Sequence, residues 1–177
     1  FWFTDPDSDG IKELILAEHD EENYSYRCLE LDGRELWRID DMEYPFTEAG
    51  DFTMQVFDIN GDGNNELLTC IDFEIQVRDG ITAKLLKSVP TPEQNPYYDS
   101  RDYPWPRLLG DALCPVKISP DEPKGFYIKD RYTNIWLYDH NLNHLWHKAI
   151  STAHFPLPVD VDGDGAEEIM VNHTLLR

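Results

Sequence analysis

Residues 158–171 read PVDVDGDGAEEIMV, in which a loop rich in carboxylates runs directly into a short apolar segment. The loop carries oxygen-bearing side chains at its positions one, three, five and nine, and a glycine at position six. Two earlier loops repeat this pattern, so we name them loop 1 (residues 5–13), loop 2 (58–66) and loop 3 (160–168). The oxygen-bearing positions are Asp5, Asp7, Asp9, Glu13, Asp58, Asn60, Asp62, Glu66, Asp160, Asp162, Asp164 and Glu168.

The three loops are spaced as copies of one repeat. Loops 1 and 2 begin 53 residues apart, and loops 2 and 3 begin 102 residues apart, which is about twice 51. This spacing predicts a repeat of about 51 residues with copies that begin near 5, 58, 111 and 160. The third copy, around ISPDEPKGFYIKD, lacks the alternating series of carboxylates and has Pro120, Pro123 and Lys124 in its turn. We expect it to bind no metal and to be held by proline stiffness.

Three of the four copies contain a hairpin pattern. The segments YRCLELDGRELWRI, FEIQVRDGITAKLLKSV and NIWLYDHNLNHLWHKA alternate apolar and polar residues on both sides of a turn. This alternation is typical of β-hairpins, with turns at Asp32-Gly33, Asp79-Gly80 and Asp139-His140-Asn141. Because apolar residues nowhere keep a helical spacing over several turns, we predict a nearly all-β chain.

The repeat length predicts the architecture. A loop, a strand and a hairpin, with one further strand, give about four short strands in each period, which is typical of a β-propeller blade. We predict that residues 1–177 form a single all-β domain, a partial β-propeller of about three to four four-stranded blades with calcium loops of the DxDxDG type. The remaining blades would belong to a longer chain. The alternative is a small β-sandwich with three calcium loops. Residues 90–110 are predicted to be a long insertion on one face.

The amino-acid composition limits the classes of partner that we expect the chain to bind. The 177 residues include 15 Lys and Arg against 35 Asp and Glu, for a formal net charge of -20. Such a charge repels a phosphate backbone and an anionic lipid surface, so we expect neither nucleic acid nor membrane insertion. The sequence contains no GxSxG, GxxxxGK[ST] or HExxH motif, which argues against the common serine hydrolases, nucleotide-binding proteins and zinc proteases.

The cysteines and histidines give no zinc motif. Cys28, Cys70 and Cys114 are far apart and leave two interpretations open, either one disulfide with one free thiol or three partly buried thiols. On a regular strand His144 and His147 point to opposite faces, which argues against a two-histidine zinc site.

The acidic loops favour calcium. Ca²⁺ binds six to eight hard oxygen ligands, which a loop of alternating carboxylates directs inward while its glycine allows a sharp turn. An EF-hand would have Glu at position twelve, whereas these loops have Leu16, Thr69 and Val171 there. The alternative is that each loop is only an acidic surface turn. Because weak calcium sites of this kind suit extracellular calcium concentrations, we predict a secreted or cell-surface protein.

The same loops resemble those of a known family. DPDSDGIKEL, DINGDGNNEL and DVDGDGAEEI are similar to the FG-GAP or VCBS calcium repeat of integrin-like and bacterial extracellular β-propellers. Residues 129–176, KDRYTNIWLYDHNLNHLWHKAISTAHFPLPVDVDGDGAEEIMVNHTLL, resemble the propellers of bacterial rhamnogalacturonan lyases.

The lyase resemblance implies β-elimination from a uronate-containing glycan, with a base that removes the C5 proton and a cation that neutralises the carboxylate. The residues that match are Lys129, Arg131, Tyr132 and His154, with Asp130 as an orienting group. The alternative is a non-catalytic FG-GAP adhesion or carbohydrate-binding module, in which these residues are strand ends and packing groups. In either case the expected partner is an acidic polysaccharide or another glycan, stacked on insertion aromatics. These aromatics are Tyr97, Tyr98, Tyr103 and Trp105.

Overall fold

A computed structural model describes residues 1–19, 24–42, 54–93, 107–108, 112–130, 132–152 and 156–177. Regular structure in these ranges consists of β-strands in four antiparallel sheets, with no helix, which confirms the all-β prediction. Accordingly, these ranges contain no helix of the length and apolarity that a membrane span requires.

Each sheet is a meander in which strands that follow one another in sequence pair with one another. Sheet 1 contains β1 (Trp2–Thr4), β2 (Glu13–His19), β3 (Tyr24–Leu29) and β4 (Glu35–Met42). Sheet 2 contains β5 (Met54–Phe57), β6 (Glu66–Ile71), β7 (Glu74–Asp79) and β8 (Leu85–Pro90). Sheet 3 contains β9 (Ala112–Val116), β10 (Gly125–Lys129), β11 (Asn134–Tyr138) and β12 (His144–Ala149). Sheet 4 contains β13 (Leu157–Val159), β14 (Glu168–Val171) and β15 (Thr174–Leu176).

The sheets follow the repeat seen in the sequence. Each acidic loop connects the first strand of its sheet to the second, and the second strand begins at the glutamate of loop position nine. Residues 117–124, which we call the proline-rich loop, make the same connection in sheet 3. The three predicted hairpins form as β3–β4, β7–β8 and β11–β12. Local turn chemistry and alternation are therefore sufficient to set this order of strands.

Three apolar clusters form between consecutive sheets. Ile15 of sheet 1 belongs to the same cluster as Leu67 of sheet 2. Leu68, the next residue of sheet 2, belongs to the second cluster with Phe126 of sheet 3, and Tyr127 belongs to the third with Ile169 of sheet 4. Because the inner sheets are covered on both faces, every residue of β10 and β11 is buried.

The cysteines contribute to these clusters as thiols. All three are described and all three are free, so the disulfide interpretation is wrong and that of partly buried thiols is confirmed. Burial raises the pKa of Cys28 and of Cys70 to about 12, so both are neutral at physiological pH.

The described residues on either side of positions 94–106, within the predicted insertion, contact one another. Glu93 pairs with Arg107, and the amide of Leu108 donates to the carbonyl of Pro92 over 3.0 Å. The buried Thr91 hydroxyl also donates to the Leu108 carbonyl over 2.6 Å. The aromatic residues between these two points, Tyr97, Tyr98, Tyr103 and Trp105, lie outside the described residues.

Candidate metal loops and candidate glycan site

Loop 1 brings three of its four carboxylates together, and Asp9 is not part of this group. Ligand oxygens of Asp5, Asp7 and Glu13 lie within 4.8 Å of one another. The Asp5 carboxylate accepts the amides of Asp9 over 3.1 Å and Gly10 over 3.0 Å, which fixes its side chain inside the loop. Gly10 has φ +87°, a left-handed conformation that glycine adopts without steric cost. The backbone therefore holds the acidic groups in place.

Glu13 is the acidic residue of loop 1 whose carboxylate lacks a hydrogen-bond partner among the described residues. Its exposed fraction is 0%, and neither carboxylate oxygen has a hydrogen-bond partner in the described part of the chain. Desolvation, followed by the charges of Asp7, Asp9 and Asp5, raises its pKa to about 7. Burying an unpaired charge is costly, whereas a cation bound by the same oxygens would offset that cost. The donor set of loop 1 therefore fits a hard divalent cation.

Loop 2 has the same backbone but a less charged donor set. Asp58 accepts the amides of Gly61 over 2.6 Å and Gly63 over 2.8 Å. Asn60 stands at position three, and its Nδ2 donates to Glu66 over 3.0 Å. The Ile59 amide donates to the other Glu66 oxygen over 3.0 Å, so both oxygens have partners here, whereas neither Glu13 oxygen has one among the described residues. Burial raises the pKa of Glu66 as well.

Loop 3 also brings three of its four predicted acidic ligands together, without Asp164, and a basic side chain contacts two of them. Ligand oxygens of Asp160, Asp162 and Glu168 lie within 4.8 Å of one another. The Arg177 Nε lies 3.0 Å from Glu168 Oε1, and its Nη2 contacts Asp162. Asp160 accepts the amides of Gly163 and Gly165, as Asp58 does at the same positions of loop 2, and the bond from position six is also present in loop 1.

The proline-rich loop has no acid at position nine. Gly125 stands there, and a Cβ on it would lie 2.3 Å from Ile118 Cδ1 and 2.3 Å from the Tyr138 carbonyl oxygen. Apolar and backbone atoms therefore fill the place that a carboxylate takes in the other loops.

The four loops lie side by side. The Asn65 amide donates to Ser8 Oγ over 2.7 Å, which joins loops 1 and 2. The proline-rich loop touches loop 2 through Pro123 and Gly61. It reaches loop 3 where the Lys117 amide donates to Glu167 over 2.7 Å. The loops thus form one row in which each copy contacts the next.

Two of the residues matched to the lyases, Lys129 and Tyr132, are described, and they lie at the other end of sheet 3. Lys129 is the last residue of β10 and is fully buried, whereas Tyr132 is 41% exposed in the following turn. Arg131 and His154 lie outside the described residues. Described residues on both sides of His154 are hydrogen-bonded to sheet 3 or to the turn that follows β10. The Thr152 amide donates to the Tyr132 carbonyl over 2.9 Å. Tyr127 OH donates to the Pro156 carbonyl over 2.7 Å.

The turn beside these residues contains a hydrogen-bond network. The buried Asp130 carboxylate accepts the backbone amides of Thr133 over 2.6 Å and Asn134 over 2.8 Å. Asn134 Nδ2 also donates to Asp130, so its Oδ1 accepts from His147 Nε2 over 2.8 Å. The ring of His147 stacks on Trp136 at 4.8 Å between centroids. Asp130 therefore orients the turn, and through Asn134 it fixes His147.

The premise of a regular strand does not hold at His144 and His147, so their predicted opposite orientation is not found. A β-bulge between Leu137 and Tyr138 shifts the register, so that Tyr138 pairs with His144 while Trp136 pairs with His147. Because Trp136 and Tyr138 share a face, both histidines share that face too. Burial, followed by the charge of His144, lowers the pKa of His147.

Comparison with known proteins identifies solved structures that share this fold. No protein-family model and no curated protein sequence matches the chain. Among solved structures, the chain is similar to the rhamnogalacturonan lyase YesW, with a TM-score of 0.69 and 19% identity over 96% of this chain and 39% of that one. The fold is shared. For the Bacillus licheniformis rhamnogalacturonan lyase PL11 the values are 0.66 and 19%, over 98% of this chain and 39% of that one. The V. cholerae biofilm matrix protein Bap1 gives 0.61 and 19%, over 96% of this chain and 26% of that one.

The chain therefore spans about two fifths of the length of each of these lyases and about a quarter of the length of Bap1.

Proposed function

We propose that the chain is part of a calcium-stabilised extracellular β-propeller that acts on an acidic polysaccharide. The observation that carries the metal proposal is Glu13, a buried carboxylate that has no partner in the described residues and faces other acids. Hard carboxylate oxygens at positions one, three, five and nine are the ligands that Ca²⁺ prefers. The ligands would be the twelve oxygen-bearing residues of loops 1, 2 and 3, as in an FG-GAP or VCBS repeat.

Calcium would act structurally in this arrangement. Each loop connects two strands of one sheet, and loop 1 also contacts loop 2 through Ser8 and Asn65. Asn65 Nδ2 donates to the carbonyl of Asp5 over 2.7 Å, so the backbone of one candidate site supports the loop of the next. An ion bound in loop 1 would therefore stabilise the junction between sheets 1 and 2.

The exposed face of sheet 4 supports a propeller with more blades. In sheets 1, 2 and 3 the residues two places after position nine are Ile15, Leu68 and Tyr127. Their exposed fractions are 0%, 0% and 2%, because each packs toward the following sheet. The corresponding residue of sheet 4, Met170, is 44% exposed and lies in register with Leu157 and Leu175, which are also exposed. We propose that a further blade of a longer chain covers this apolar row. The repeats near 5, 58, 111 and 160 are then successive blades.

For the activity we propose β-elimination from rhamnogalacturonan or a related uronate-containing glycan. Tyr132 is exposed at the end of sheet 3, and the segment that contains His154 is anchored beside it. We assign proton transfer to Tyr132 or His154, and neutralisation of the substrate carboxylate to Arg131. Lys129 is buried, so we assign it a positioning role. Two of the three solved structures compared above are named as rhamnogalacturonan lyases.

A non-catalytic glycan-binding or adhesion module is the second candidate. The likeness to the biofilm matrix protein Bap1 favours it, because that protein shares the fold. The fold thus serves proteins with different names, and the reacting residues must decide between the two candidates.

The first experiment counts calcium ions. The full-length protein is stripped with EDTA and titrated with calcium by calorimetry. We expect one ion in each of loops 1, 2 and 3, and a melting temperature that rises with calcium. A site filled to 100 times its dissociation constant adds about 2.7 kcal/mol to the free energy of unfolding. Failure to bind calcium at millimolar concentration would overturn the metal proposal.

The second experiment tests the activity. The full-length protein is mixed with rhamnogalacturonan, and the ultraviolet absorbance of unsaturated uronate ends is followed. We expect the absorbance to rise, and the rise to be lost in the Tyr132→Phe and His154→Ala variants but kept in Tyr24→Phe, a control on sheet 1. Retention of the glycan without any absorbance change would instead support the binding module.

A further inference from the structure

Arg177 occupies a position that is acidic in two other copies of the repeat. Leu176 pairs with Ile169, so Arg177 lies across the ladder from Glu168, which precedes Ile169. In sheet 2 the residue opposite the position-nine Glu66 is Asp79. The equivalent residue in sheet 1 is Glu30, whose negative charge helps to raise the pKa of Glu13. A positive charge at this place therefore distinguishes loop 3 from loops 1 and 2.

We propose that Arg177 is an internal counter-ion of loop 3 that competes with calcium, so that loop 3 is the weakest of the three sites. This inference rests on the proposed binding of calcium to the acidic loops. The contacts that carry it are those of the guanidinium with Glu168 and Asp162, both of which are predicted ligands of the same ion.

Charge and geometry both support competition. The Glu168 side chain is 4% exposed, as buried as that of Glu13, yet it has a cationic partner that Glu13 lacks in the described residues. A Ca²⁺ ion would need the same oxygen lone pairs and would meet a positive charge within ion-pair distance. Binding must therefore first break the two ion pairs, a cost that loops 1 and 2 do not have.

Arg177 has room to leave the loop. Its side chain is 65% exposed and borders a cavity of about 150 Å³ that Trp146 and Leu137 also line. This cavity is the space into which we expect the guanidinium to turn. Calcium therefore has to displace the Arg177 side chain, and loop 3 is the last of the three loops to bind calcium as its concentration rises.

The test is a calcium titration of Arg177 variants in the full-length protein. In Arg177→Gln we expect one site to tighten by roughly three- to tenfold, because exposed ion pairs are individually weak. In Arg177→Glu, which restores the acidic residue that Glu30 provides in sheet 1, we expect a larger increase. Both variants should fold, since the side chain is exposed.

Two controls assign the effect to loop 3. Arg38→Gln removes an arginine that pairs with Glu18, Glu35 and Asp40, none of which is a predicted ligand, and should leave the isotherm unchanged. Asp160→Asn disables loop 3, so adding Arg177→Gln to it should change nothing further.

The outcomes separate this inference from the proposed function. If Arg177→Gln tightens one of the sites of the parent protein, or binds one ion more than the parent does, the competition is confirmed. If the parent binds three ions and Arg177→Gln leaves the isotherm unchanged or weakens it, Arg177 is no competitor, although the loops do bind calcium. If the parent binds no calcium and the variants bind none, both proposals fail.

Discussion

Loop 1 and the proline-rich loop precede equivalent strands but fill position nine in opposite ways. Loop 1 has Glu13, a fully buried acid without a partner among the described residues. The proline-rich loop has Gly125, with Ile118 and the Tyr138 carbonyl in the space of a side chain. Under the calcium proposal one copy would be stabilised by a cation at this place, whereas the other is filled by close packing.

This difference shows that a copy without the acidic side chains can keep the same order of strands. Pro120 and Pro123 lie against Gly165 and Gly61 of the two neighbouring acidic loops. The proline-rich loop thus contributes a rigid contact on each side, and its position in the row does not require a bound ion.

The largest expected effect comes from adding one methyl group at position nine of the proline-rich loop. In Gly125→Ala the new Cβ would lie 2.3 Å from a backbone oxygen, so the strands must shift, and we expect a loss of about 3 kcal/mol in the free energy of unfolding. In Gly10→Ala of loop 1 no atom lies within 4 Å and φ is +87°, so only backbone strain of about 1 kcal/mol is expected.

Urea denaturation in EDTA measures both variants without any contribution from bound metal. Equal losses would show that position nine of the proline-rich loop is not closely packed.

The second prediction is a pH dependence that belongs to loop 1. Without calcium the folded pKa of Glu13 is about 7, above its ordinary value of 4.5, so the folded state binds the proton more tightly than the unfolded state does. Its contribution to stability is complete below pH 4.5 and is lost as the pH rises through 7, with a slope of at most about 1.4 kcal/mol per pH unit. Saturating calcium should remove this loss.

The Glu13→Gln variant isolates the effect. It has no charge to bury, so in EDTA at pH 8 it should be more stable than the parent. In calcium it should be less stable, because it has lost a ligand. Thermal melts under the two conditions measure both differences, and a variant that is destabilised under both would show that the glutamate packs well as an unpaired anion.

The sequence predicted the parts of the molecule that depend on local signals. The strand starts at Glu13, Glu66 and Glu168 follow from the loop pattern, and the hairpins follow from alternation and turn residues. These features require only the residues of one repeat, because turn conformation and side-chain alternation act over a few positions.

The features that the sequence analysis did not predict depend on strand register. The shared face of His144 and His147 results from a bulge that alternation alone does not reveal. Arg177 meets Glu168 only because β14 and β15 pair with a two-residue turn, at Asn172 and His173. The sequence signal for Arg177 was the acidic residue at the equivalent place in two other copies, which an alignment of the repeats on their hairpins would have shown.

The smallest expected effect is that of the prolines. Replacing Pro120 and Pro123 with alanine increases the conformational entropy of the unfolded chain. This lowers the free energy of unfolding by about 0.4 to 1 kcal/mol for each proline. It also removes the contacts with Gly165 and Gly61, so a total loss of roughly 2 kcal/mol is the upper expectation. Because this loop has no ligand set, the loss should be the same in EDTA and in calcium. A loss seen only in calcium would mean that the prolines act by shaping loops 2 and 3, and the contrast between an ion-dependent copy and an ion-independent one would then disappear.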